Sequence, residues 1–190
     1  MLAVLFMSAL KPTAQEQDHE YAPIVSSSLD YHDFSYKTLE GKPVNLREYM
    51  EGKRLVIVNY SAGWCKNSNY GGPVVKRLYD KYKDRGLGVI AVMEYSDPEE
   101  IKIHINRIGI DYPVVIETQS RDDREKTIHY KYRSAVGDKR KWGTPFFVII
   151  DSRDVVPPVP QLPLAVRVHT ASGELIETEA ERFIEEHLAR

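Results

Sequence analysis

Cys65, in the stretch WCKNSNYGGP, is the only thiol in this chain of 190 residues. The residues before it, RLVIVNYSAG, are apolar and rich in Val and Ile, the pattern of a strand buried on both faces. After it, Val75, Leu78, Tyr79 and Tyr82 share one stripe at helical spacing. A cysteine between such a strand and helix sits at a helix N-terminus, where unpaired backbone N–H groups and the helix dipole favour thiolate. Lys66 adds a positive charge nearby, and the Ser68 hydroxyl is spaced to donate a hydrogen bond to sulfur. The opposing reading is an inert packed thiol, because free cysteines are among the most buried residues.

A single thiolate has a short list of reactions. It can attack a disulfide and form a mixed disulfide, but an external thiol must then resolve it. It can also be oxidised by a peroxide to a sulfenic acid that an external thiol reduces. With one cysteine there is no internal disulfide and no multi-thiolate zinc cage. The six histidines include no i, i+4 ligand pair, so neither a metal nor a cofactor is expected. A formal net charge of -2 gives no broad basic surface, which argues against nucleic acid as partner. The local run Lys139-Arg140-Lys141 reads either as a solvated loop or as a patch for an acidic partner, including the carboxylates of a glutathione-like thiol.

The elements that must position Cys65 follow from punctuation and period. DFSYKTLEGKPVNLREYM reads as an N-terminal hairpin turning at Glu40-Gly41, followed by a short helix over Leu46–Met50. Gly71, Gly72 and Pro73 are expected to weaken or kink the first turns of the helix after Cys65. LGVIAVMEYS is a second buried strand. In SDPEEIKIHINRIG, Ser96 with Glu99 reads as a capping box and Gly109 as the stop; Ile101, Ile105 and Ile108 form its buried face, with His104 packed beside them. YPVVIE is a short strand, DDREKTIHYKYR a helix and TPFFVIID another central strand. The proline-dense segment at about 152–164 reads as an extended insertion, LAVRVHT and ELIE as strands, and Thr178 with Glu181 as the cap of a closing helix.

Residues 31–190 are thus expected to form one domain, preceded by an apolar segment and a polar linker over 1–30. MLAVLFMSAL is too short to span a bilayer, which takes about 20 apolar residues. It reads as the remnant of a signal peptide, implying an extracytoplasmic location, or else as an apolar stretch docked on a cytoplasmic protein.

In combination, TLEGKPVNLREYMEGKRLVIVNYSAGWC, KRLYDKYKDRGLGVIAV and GTPFFVIID resemble the TlpA-like branch of the thioredoxin superfamily and the wider alkyl hydroperoxide reductase/thiol-specific antioxidant group. The resemblance implies an α/β thioredoxin-like fold, a central mixed sheet flanked by helices. It implies that Trp64-Cys65 begins the W-C-x-x-C motif and that Thr144-Pro145 is the cis-proline loop facing the thiol. Ser68 replaces the second cysteine, and Gly71 stands where relatives often carry an acid. The activity implied is thiol-disulfide exchange through Cys65, with Ser68, Thr144 and Pro145 in the site and Trp64, Lys66 and Trp142 against the substrate. The partner would be a disulfide-containing protein or a small thiol such as glutathione. Ser68 and Trp142 also resemble positions of glutathione peroxidases, which implies a thiol peroxidase as an alternative. A thioredoxin-fold interaction module without catalysis is the third reading.

Overall fold

The structure, a computed structural model, describes residues 19–189. Its strands are β1 (Tyr21–Ala22), β2 (Val25–Tyr31), β3 (Ser35–Lys37), β4 (Pro43–Asn45), β5 (Leu55–Ser61), β6 (Leu87–Met93), β7 (Val114–Ile116), β8 (Phe146–Asp151), β9 (Ala165–Ala171) and β10 (Glu174–Leu175). The helices are α1 (Leu46–Met50), α2 (Lys66–Tyr82), α3 (Pro98–Ile108), α4 (Ile128–Ala135) and α5 (Glu177–Ala189). Eight strands form one mixed sheet in the order β2-β9-β8-β5-β6-β7-β3-β4. At its centre β5 runs parallel to β6 and antiparallel to β8.

Every residue of β5, β6 and β8 is buried, as their unbroken apolar runs require. Successive side chains of β5 alternate between two cores. Val56, Val58 and Tyr60 pack with Leu46 of α1 and Tyr132 of α4, whereas Leu55 and Ile57 pack with Val75 and Leu78 of α2 and Ile184 of α5. The sheet is therefore covered on both faces, and α2 is clamped to it along the stripe that the sequence marked.

The β3–β4 hairpin turns through Gly41 at φ +80°. α3 stops at Gly109, whose φ of +72° closes the helix end. Other expectations shift. Asp97, not Ser96, caps α3, with Glu100 completing the capping box. Thr178 already lies inside α5, which starts at Glu177, so it is not that helix's cap. α2 runs unbroken through Pro73. Gly72 serves close packing there, since a Cβ on it would come within 2.2 Å of Ile108 Cδ1. The segment read as one helix from Asp122 is a 3-10 turn over Arg121–Lys126 that breaks at Thr127, where that side chain caps α4.

Sheet pairing also begins earlier than Tyr31. β2 pairs with β9, and β1 joins β10 in a small parallel ribbon. The stretch read as linker thus contributes two strands, and MLAVLFMSAL lies outside the described residues. Among those residues no helix is long and apolar enough to cross a membrane, and no group of three or more His, Cys, Asp or Glu side chains is placed to hold a metal ion.

Candidate active site

Cys65 is the N-cap of α2, in extended backbone at φ -73° and ψ 125°. It is partly exposed. Its thiol donates to the carbonyl oxygen of Thr144 at 3.3 Å, and the Thr144–Pro145 peptide bond is cis. The sulfur, the start of α2 and the loop before β8 therefore meet where the central strand β5 ends and its antiparallel neighbour β8 begins.

Ser68 does not serve the sulfur. Its hydroxyl is buried and accepts from the Ala62 N–H at 3.3 Å, fastening the loop to the first turn of α2. Lys66 extends over the ring of Tyr70, 5.4 Å from its centroid. Trp64 donates its indole N–H to the Tyr95 carbonyl at 2.8 Å and meets Trp142 edge-on at 5.2 Å. Trp64 and Trp142 thus form an aromatic wall, and Lys66, expected beside them, lies over Tyr70 instead.

Two polar networks, neither singled out in the sequence, hold this geometry. Asn69 donates to the carbonyls of Gly63 and Cys65, both at 2.9 Å, and its own oxygen accepts from His104 Nδ1–H at 3.0 Å. Burial lowers His104 to about 4, and Arg107 adds to the effect, so the imidazole is neutral. Gly63 donates to the Ser96 hydroxyl at 2.8 Å, and a Cβ on it would sit 2.4 Å from the Glu100 carbonyl oxygen. The turn before Cys65 is thus pressed against the start of α3, where only glycine fits.

On the other side, His129 links Tyr95 to the cis-proline loop. Its Nε2–H donates to the Gly143 carbonyl at 3.1 Å, which leaves Nδ1 to accept from the Tyr95 hydroxyl at 3.0 Å. Burial, followed by the charge of Arg133, lowers His129 to about 3. Arg140 steadies the same loop, donating to Pro145 O at 3.0 Å. Behind the aromatic wall, Glu94 is fully buried with neither oxygen hydrogen-bonded. Burial and then the neighbouring Glu117 push its carboxyl well up, which favours the neutral acid. Glu117 itself accepts from the backbone N–H groups of Ile128 and His129 at the start of α4.

Gly71 packs against an acidic residue of another element. A Cβ on Gly71 would lie 3.5 Å from Cγ of Glu174, a buried residue of β10 paired with His19 at 2.7 Å. Sequence reading could not have found it, because 103 positions separate 71 from 174.

A cysteine capping the helix that follows a central strand, set against a cis-proline loop, defines a thioredoxin-fold thiol site. The chain belongs to the AhpC/TSA family, whose model matches residues 30–157. It is 30% identical over 142 residues to a protein of Citrus sinensis described as a probable phospholipid hydroperoxide glutathione peroxidase, covering 68% of this chain and 84% of that one. It is 33% identical over 85 residues to the thiol-disulfide oxidoreductase ResA of Bacillus thuringiensis (strain Al Hakam), covering 45% of this chain and only 48% of ResA. The thioredoxin domain of a thiol-disulfide oxidoreductase from Bacteroides vulgatus superposes with a TM-score of 0.60 at 17% identity, covering 85% of this chain and 96% of that domain.

Proposed function

We propose that this protein is a thiol-disulfide oxidoreductase that works through the single nucleophile Cys65 and an external thiol such as glutathione. The observation that carries the reading is the partly exposed Cys65 sulfur at the N-cap of α2, 3.3 Å from the carbonyl before the cis-proline. Losing its proton ends the bond to Thr144 O and turns the sulfur toward the first-turn amides of α2, which have no partner within the helix. The thiolate then attacks one sulfur of a disulfide. A Cys65–S bond forms, the substrate S–S bond breaks, and the departing thiolate takes a proton. An external thiolate next attacks the mixed disulfide, releasing Cys65 and leaving the external thiol joined to the substrate. A second external thiol completes the two-electron reduction by forming its own disulfide. Trp64 and Trp142 wall the approach, Thr144 and Pro145 present backbone to the incoming chain, and Ser68 holds the loop.

The length of the match to the Citrus sinensis protein favours a second reading, a thiol peroxidase. There the thiolate attacks a hydroperoxide; an S–O bond forms, the O–O bond breaks and an alcohol leaves, after which external thiols reduce the sulfenic acid. One assay separates the readings. Oxidised glutathione should add one glutathionyl group to Cys65 and none to Cys65→Ser, and reduced glutathione should remove it. Rapid hydroperoxide consumption with negligible disulfide exchange would select the second reading. An unreactive Cys65 would leave only an interaction module. We place the protein outside the cytoplasm on the apolar run at 1–10, which cell fractionation tests.

A further inference from the structure

We infer that the cavity beside the cis-proline loop binds the carboxylates of the small anionic thiol that resolves Cys65. The inference rests on the exchange chemistry proposed above. The cavity has a volume of about 330 Å³, within the range of small-ligand sites, and Arg124, Arg133, Lys139, Arg140 and Lys141 line it. Asp138 is the one acidic lining residue. It is already committed to Arg140, at 2.7 Å.

Arg124 is paired with Glu125, which lies outside the cavity lining, whereas Arg133, Lys139 and Lys141 pair with no carboxylate among the described residues. Arg133 is buried and donates to the carbonyl oxygens of Asp138, Arg140 and Lys141, but to no carboxylate, and its Nε has no acceptor. Lys139 and Lys141 enter no ion pair among the described residues; Lys141 lies over the Trp142 ring at 5.4 Å. A buried guanidinium and two unpaired ammonium groups around one cavity attract an anion, and partial removal from water strengthens that attraction.

The cavity is also placed for the chemistry. Arg140 in its wall donates to Pro145 O at 3.0 Å, and the preceding carbonyl, Thr144 O, accepts from Cys65 at 3.3 Å. Chain geometry then puts that guanidinium within about 12 Å of the sulfur. The γ-glutamyl carboxylate of glutathione lies eight bonds, up to about 10 Å, from its sulfur, and the S–S bond and ion-pair contact add about 2 and 3 Å, enough to cover that distance. A neutral or cationic thiol gains nothing there.

The test uses S-methylglutathione, which cannot react, titrated into Cys65→Ser and followed by tryptophan fluorescence. The dimethyl ester of the same compound, lacking carboxylates, is the control. We expect saturable binding of the acid and none of the ester, weakened about tenfold in the Lys139→Ala/Lys141→Ala variant and weakened by salt. Equal binding of acid and ester, indifference to the lysine substitutions, or no binding at about 10 mM would overturn the assignment. An acidic peptide that binds where S-methylglutathione does not would overturn it in favour of a protein partner. Glutathionylation of the wild-type protein is measured alongside. Exchange without carboxylate-dependent binding overturns the cavity assignment and leaves the oxidoreductase reading standing; binding without exchange does the reverse.

Discussion

Replacing Asn69 with Ala tests whether the thiol is positioned by the network beneath it. The carboxamide donates to Gly63 O and Cys65 O and accepts from His104, three bonds between 2.9 and 3.0 Å. Each neutral bond contributes about 0.5–1.5 kcal/mol net, and a buried donor left without an acceptor costs about 1–3 kcal/mol more. His104 would be that donor, at 1% exposure. Alanine is the better helix former and returns about 0.5 kcal/mol. Central values give an expected loss of about 4.5 kcal/mol, which lowers the urea midpoint by about 2 M for a typical m value of about 2 kcal/mol/M. A double-mutant cycle with His104→Ala should show coupling of about 1 kcal/mol, because the two residues share one bond. Native-state alkylation of Cys65 should also change, since the turn at Gly63–Cys65 loses its tether. A loss below 1 kcal/mol together with an additive cycle would refute the reasoning and leave the sheet alone as the support of the site.

Gly63→Ala should destabilise by about 1–3 kcal/mol, read by thermal or denaturant unfolding, because its Cβ would meet the rigid Glu100 backbone at 2.4 Å. Cys65→Ala should abolish glutathionylation and exchange while the far-ultraviolet spectrum stays unchanged; persistent exchange would move the chemistry elsewhere. Ser68→Cys places a second thiol at the third helical position, and mild oxidation should then form an internal disulfide and give dithiol-type reductase activity, detectable by loss of titratable thiols. Acid should weaken the fold between pH 6.5 and 5. His129 at about 3 and His104 at about 4 stay neutral when folded but protonate at about 6.5 when unfolded, so their stabilisation is full above 6.5 and declines as pH falls. Glu94, whose carboxyl burial pushes up, works in the opposite sense and offsets part of that loss. The two histidines alone lose about 3 kcal/mol between pH 6.5 and 5, and His129→Gln should remove about half of that, as urea midpoints at both pH values would reveal.

Much of the scaffold is written locally. The apolar runs at 55–61 and 87–93, the stripe through Val75, Leu78 and Tyr82, and the glycines at 41 and 109 announce strands, helix and stops, and each fell where period and turn chemistry put it. Cys65 at a helix start was equally legible, because that inference needs only its two flanking elements. Local signals failed where neighbouring residues offered competing partners. Ser96 and Asp97 each precede an acid three residues on, and the choice fell to Asp97 because Gly63, far away in sequence, claims the Ser96 hydroxyl. The same holds for Ser68, whose hydroxyl goes to Ala62 rather than to sulfur. Asn69, His104, Tyr95, His129 and Glu174 each have a partner 34 or more positions away in the sequence. Periodicity and capping depend on residues within a turn or two of each other, so one sequence states them. Which buried polar group meets which partner is decided only when the sheet closes and each must find a hydrogen bond away from water.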